Sequence, residues 1–231
     1  MTHRLRISIY TSRLVVSLLL LLGMHAAASA QPKIFRLEQD SIPLFQGLSL
    51  SFDLVGPAML MLSDHGEYEG ALRINLHDQW FPTFEAGIGR ANHERDEVTG
   101  ITYKTTAPYF RIGMDWNILR NKHQTNRIYA GFRYAFTAYK ADIIREDLPD
   151  PIWQHMTGFG VKDLSCSQHW LEAVLGIDAA IFGPFHLGWT VRYKRRLHHS
   201  DVPIGQTWYV PGFGTYDNDQ LAANFNVIID I

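Results

Sequence analysis

Hydrophobic and polar residues alternate along most of this chain, and the alternation is longest between Leu171 and Lys194. Over residues 171–181, Leu171, Ala173, Leu175, Ile177, Ala179 and Ile181 share one face, while Glu172, Val174, Gly176 and Asp178 share the other. Over residues 185–194, Phe185, Leu187, Trp189, Val191 and Tyr193 oppose His186, Gly188, Thr190, Arg192 and Lys194. A period of two over this length predicts strands, and Gly183-Pro184 between them predicts a tight hairpin. About 10 residues is what a tilted strand needs to cross a bilayer. One face holds large hydrophobic residues and the other mixes charge with glycine, the pattern of a barrel with an apolar exterior and a polar lumen.

The same period places further strands at residues 47–55, 67–76 and 80–90, in a segment ending at 109–116, and at 127–139 and 219–231. Gly56-Pro57 ends the first strand, and the apolar run 58–62 after it reads as a hydrophobic loop or a strand extension. Residues 91–100 and 117–126 read as polar connections. Residues 141–163, with Pro149 and Pro151, read as a long loop, as do residues 195–218, rich in Gly, Pro, Trp and Tyr. The prediction is an all-β fold: an eight-stranded antiparallel up-and-down transmembrane β-barrel. Eight is even, and the odd-numbered connections are mostly the longer ones, as expected when both termini lie on the periplasmic side. Pro82 and Pro108 oppose this reading, because a mid-strand proline loses a ladder hydrogen bond. The competing architecture is a soluble periplasmic barrel around an apolar ligand. Its polarity would be reversed, with Leu175, Ile177, Leu187 and Trp189 inside.

Composition adds location. Arg4, Arg6 and Arg13 precede the apolar run 14–22, and Ala28-Ser29-Ala30 forms a cleavage site. This predicts a signal peptide over residues 1–30, since the run is too short to span a membrane. A periplasmic leader over 31–46 and the barrel over 47–231 follow. With 21 Lys and Arg, three of them in the signal segment, and 23 Asp and Glu, the mature chain carries 18 − 23 = −5. A nucleic-acid binder would show a basic patch instead. Mean hydropathy of −0.10 excludes a bundle of membrane helices but not a barrel of alternating strands. The single cysteine, Cys166, forms no internal disulfide and no cysteine metal site. No metal or cofactor is expected, and oligomeric state is not legible.

Inward parity collects Asp53, Arg73, Glu85, Arg111, Arg133, Glu172 and Arg192. Side chains can fill an eight-stranded barrel, so these charges are expected to pair and plug it. The alternative is a proton path or a catalytic carboxylate. In His198-His199-Ser200-Asp201, a His and a Ser two residues apart share a strand face, and a neutral His198 could serve Ser200 as base. Arg192, Lys194, Arg195 and Arg196 just before them could pair with lipopolysaccharide phosphates, or form a solvated rim.

The triplet His198-His199-Ser200 resembles the His-x-Ser motif of the lipid A deacylase family, also eight-stranded outer-membrane barrels. That resemblance implies His198 as base and Ser200 as nucleophile of a lipid A-modifying hydrolase. The Asn-Ala pair that follows the family's Ser is replaced here by Asp201-Val202. As a whole, the chain resembles the small, mostly uncharacterised outer-membrane β-barrel proteins of Gram-negative bacteria. The signal peptide, the strand pattern and an apolar last residue, Ile231, carry this likeness. It implies porin-like architecture in the outer membrane, with lipid, lipopolysaccharide and the barrel-assembly machinery as partners. The function expected is structural or interactive, with the outer loops as binding surface.

Overall fold

Residues 42–149, 152, 156–200, 207–215 and 217–231 are described by the computed structural model. The expected signal peptide, most of the expected leader and Asp201 lie outside the described residues. Strand β1 (Phe45–Asp53) is followed by a helix, α1 (Val55–Leu62). Strands β2 (His65–Leu76), β3 (Trp80–His93), β4 (Thr102–Asn117), β5 (Arg127–Pro149), β6 (Met156–Phe182) and β7 (Phe185–His199) come next. A short pair, β8 (Tyr209–Val210) and β9 (Gly214–Thr215), precedes the last strand, β10 (Asp219–Asp230). Eight of these strands close into a barrel in the order β1-β10-β7-β6-β5-β4-β3-β2. Each joins its chain neighbour antiparallel, and β1 closes the ring against β10 through Ser49 opposite Asp230 to Asp53 opposite Asn226.

The alternation fixes the faces as expected. Phe84, Phe110, Phe132, Leu175, Ile177, Trp189 and Val191 are exposed on the outside, whereas Arg73, Glu85, Arg111, Asp115, Arg133, Glu172, Asp178 and Arg192 are buried inside. Glycines on the inner face make room for large partners. A Cβ on Gly87 would strike the Tyr109 ring, and one on Gly131 would strike the Asp115 carboxylate. Pro82 lies opposite Met114 on β3. Pro108 is paired with Ile88 on one side, but pairing with β5 is interrupted between Thr105 and Tyr109. The missing N–H therefore costs the ladder on one side only.

Several expectations are corrected. The run 58–62 belongs to helix α1, not to a loop or strand. Pro57 sits in its first turn, where the missing N–H is harmless. Asp53 accepts hydrogen bonds from Val55 N at 3.3 Å and Gly56 N at 2.7 Å, so the free amides of that turn are met by the end of β1. The first strand begins at Phe45, not at residue 47. Residues 141–149 and 156–163 are strand and not loop: β5 continues to Pro149 and β6 starts at Met156, with pairing shifts after Ala141 and Arg145. Within 195–218, residues 195–199 belong to β7 and the β8–β9 hairpin packs inside the barrel, so these parts are not an open loop.

Candidate functional site

The lumen has an ionic half and an aromatic half. In the ionic half, Arg73, Arg111, Arg133 and Arg192 join Glu69, Glu85, Asp115, Glu172 and Asp178 in one connected set of ion pairs. Arg133 holds Asp115 with two parallel bonds of 2.7 and 2.8 Å. Arg73 reaches Asp178 at 2.5 Å and Asp115 at 3.5 Å. Glu85 joins this group to the next, accepting from Arg133 Nε at 2.9 Å and Arg192 Nη1 at 2.7 Å. Arg192 continues to Glu69 at 3.0 Å, and Arg111 to Glu172 at 2.9 Å and to Glu69.

Strand parity explains the convergence. Every second residue of each strand points inward, and an eight-stranded ring brings those side chains within reach across the lumen. Buried charges survive only when paired in this way. The cavity bordered by Glu69, Arg73, Glu85, Arg133 and Arg192 measures about 20 Å³, close to the space of one water molecule. No carboxylate of the set lacks a guanidinium partner, which leaves none of them free as a general base.

The aromatic half surrounds the β8–β9 hairpin. Tyr209, Val210 and Phe213 are buried among Tyr103, Tyr109, Tyr139, Trp170 and Cys166. The hairpin is tied to the wall through its backbone. Arg111 Nη2 donates to Gly212 O at 2.7 Å, Lys194 Nζ to Gly212 O at 2.8 Å, and Tyr103 Oη to Tyr209 O at 2.6 Å. Gly212 has φ of +79° and lies against the Tyr109 ring, so a side chain there would be both strained and obstructed.

At the end of the barrel opposite the termini, Trp208 stacks on His93 with centroids 4.6 Å apart and 20° between planes. His93 contacts Asp64 at 2.7 Å and Asp96 at 3.3 Å. The Asp64 hydrogen bond, followed by that of Asp96, raises the His93 pKa above 6.5. Asp96 is held at about 2 by the Thr99 amide and hydroxyl and by His93, against an ordinary 3.8. A raised His stabilises the folded form below its unfolded pKa, and that gain is lost as pH rises through the folded value. A lowered Asp stabilises above its unfolded pKa, and that gain is lost as pH falls through the folded value. The clamp is therefore expected to be tightest between pH 3.8 and 6.5. Amide exchange at Gly100, whose N–H bonds to Asp96 O, should be slowest in that window after correction for intrinsic rates. His93→Gln should abolish the alkaline limb, and a parent profile without that limb would refute the assignment.

The structure brings together six of the seven charges expected in the lumen: Arg73, Glu85, Arg111, Arg133, Glu172 and Arg192. Asp53 is also buried but caps α1. Glu69, Asp115 and Asp178 complete the set, and their inward parity on strands β2, β4 and β6 was the signal that could have found them. Lys194 is corrected. It lies in the lumen beneath the hairpin instead of facing lipopolysaccharide. Arg195 stays outside, 2.9 Å from both oxygens of Asp219, and Arg196 donates to Asn218 Oδ1. His198 is exposed beside the His169 ring, 6.3 Å away, whereas Ser200 Oγ accepts the Ser167 N–H at 2.9 Å. No hydrogen bond joins His198 to Ser200 among the described residues.

A family model described as a domain of unknown function, DUF6048, matches residues 9–230. No curated protein and no solved structure matches the chain.

Proposed function

The chain belongs to the DUF6048 family, and from its own fold we propose an outer-membrane β-barrel of structural or interaction role, porin-like in architecture but closed in its lumen. The observation that carries this reading is the inverted polarity of the barrel. Large hydrophobic side chains crowd the exterior, and charged ones fill the interior. A water-soluble barrel has the opposite arrangement, and a cavity of about 20 Å³ has no room for an apolar ligand. Outward apolar positions run from Leu171 to Ile181 on β6 and from Phe185 to Tyr193 on β7, about the nine to eleven residues that cross a bilayer at a tilt. Trp80 and Trp116, paired edge-to-face at 5.9 Å, lie at the end bearing the termini, where an aromatic girdle belongs.

The longer hairpins stand at the opposite end, which in this reading is outside the cell. There β5 and β6 rise past the rest of the wall and offer the surface for partners. A signal peptide, the barrel-assembly machinery and lipopolysaccharide follow as export route, insertion route and lipid environment. The hydrolase alternative has no observation in its favour, because Ser200 is engaged by the backbone and His198 is turned toward His169.

The test compares two exposed hydrophobic residues. Leu175 is 60% exposed in the band, and Val98 is 92% exposed in a turn outside it. Leu175→Arg should destabilise the protein folded in phosphatidylcholine vesicles by about 2–4 kcal/mol, as arginine does near a bilayer midplane. Val98→Arg should be neutral within about 0.5 kcal/mol, as at ordinary surface sites. Equal tolerance of both substitutions in urea titrations would refute the membrane reading.

A further inference from the structure

We propose that Arg90, Lys104 and Lys140 form a binding site for the phosphate of an anionic lipid, whose acyl chain lies in an apolar groove lower on the same wall. This inference rests on the membrane reading above. It begins from register. Arg90 stands opposite Thr106, and Thr105 opposite Ala141, so Lys140 lies beside Thr106 on its other flank. Lys104, two residues from Thr106 on β4, projects from the same face. All three cations are exposed, and they border a shallow cleft of about 350 Å³. Arg90 and Lys140 are two strand spacings apart, about 10 Å between backbones, so their long side chains can converge on one phosphate over Thr106.

One row nearer the band's centre, Ile88 pairs with Pro108. The next row is Gly70, Ala86, Phe110 and Phe136, paired in succession across four strands. Gly70 and Ala86 are small, while Phe52, Leu72, Phe84 and Phe110 rise around them. The result is an apolar groove of about 530 Å³ on the barrel's outer face. Cationic cleft and apolar groove thus follow one another along the same strands, with the polar part at headgroup level. Free phosphate would use only the first; a phosphate-bearing lipid uses both.

The cations are only lightly committed. Lys104 is 3.5 Å from Glu94 and Lys140 is 3.2 Å from Asp163, all with exposed side chains. Exposed pairs of this kind are weak in water. Asp142 also borders the cleft, and its Oδ1 is occupied by the Asp163 N–H at 2.8 Å. Arg90 has no ion-pair partner among the described residues. Arg195, by contrast, is held by Asp219 and serves as the control cation.

The experiment is native mass spectrometry of the full chain in detergent micelles with equal amounts of phosphatidic acid and phosphatidylcholine of identical chains. The parent should retain phosphatidic acid roughly tenfold in preference, as a few surface cations do for anionic lipid. Arg90→Gln, Lys104→Gln and Lys140→Gln together should remove the preference, Arg195→Gln should keep it, and Ala86→Phe should lower retention of both lipids. Inorganic phosphate at the lipid's concentration should displace nothing. Displacement would make this a free-anion site and overturn the proposal, as would an unchanged preference in the triple variant. Insertion of the parent into phosphatidylcholine vesicles is scored separately by its heat-modified gel mobility. Insertion without lipid preference overturns the lipid site alone, and failure to insert overturns the membrane reading with it.

Discussion

Glu85→Ala is expected to lower folding stability by about 3–5 kcal/mol, the loss typical when one partner of a buried ionic network is removed. Glu85 is the junction of the lumen. On one side Asp178, Arg73, Asp115 and Arg133 are linked; on the other, Glu69, Arg111, Glu172 and Arg192. Without the carboxylate, Arg133 Nε and Arg192 Nη1 lose acceptors at 2.9 and 2.7 Å in a space closed to bulk water. Glu85→Gln keeps the volume and one acceptor and should cost less. Ion conductance should remain absent in the parent and both variants, because the remaining side chains still occupy the section. Urea unfolding in vesicles gives the first quantity and planar-bilayer recording the second. Unchanged stability would mean that the two groups stand without their junction, and steady conductance by the parent would mean that the lumen is open.

Trp170→Ala should cost a similar amount for a different reason. Trp170 is fully buried, donates from Nε1 to Glu172 Oε1 at 2.7 Å, and meets the Phe213 ring edge-on at 5.6 Å. Truncation removes the largest fully buried side chain of the aromatic half, a change worth about 3–5 kcal/mol in a core. It also withdraws the wall against which the β8–β9 hairpin rests. Amide exchange at Val210 and Phe213 should therefore quicken more than exchange at the Phe45–Leu76 end of the β1–β2 ladder, the end bearing the N-terminal end of β1. Trp170→Phe should restore much of the packing but leave Glu172 without its indole donor. If the hairpin amides in Trp170→Ala kept parental exchange rates, the hairpin would not depend on this packing.

The barrel was legible because an apolar exterior and a paired-charge interior impose a strict period of two, and both arms of the Leu171–Lys194 hairpin keep it. Where that constraint ends, so did the reading. Residues 141–149 and 156–163 continue as strands, but the buried face turns apolar at Ala141 and Ile143, so an apolar exterior and a polar interior no longer mark the two faces. Their acids and prolines then suggested a loop. Adjacency groups Lys194 with Arg195 and Arg196, although its parity matches Arg192 and points inward. Gly56-Pro57 reads as a break, but a proline in a first turn opens a helix as readily as it ends a strand. The inner hairpin was the hardest to see. Trp208, Tyr209, Pro211, Gly212 and Phe213 have the composition of a turn-rich surface loop, and only the ring of tyrosines waiting inside distinguishes them.

The tall side of the barrel has a mechanical consequence. β4 supports β5 only as far as Thr102 opposite Ile144, whereas β5 and β6 continue as a pair to Pro149 opposite Met156. Below Ile144 the pair is braced by β4, and from Gln168 downward by β7 as well. Above it stands a two-stranded ribbon, marginal by itself, with a pairing shift after Arg145 at its root. The wall therefore behaves as a stiff post carrying a compliant blade. From Ile144 to Pro149 the strand advances about 17 Å at ordinary rise. A load at the tip would be spent in bending the ribbon near Arg145, and little torque would reach the charges packed below.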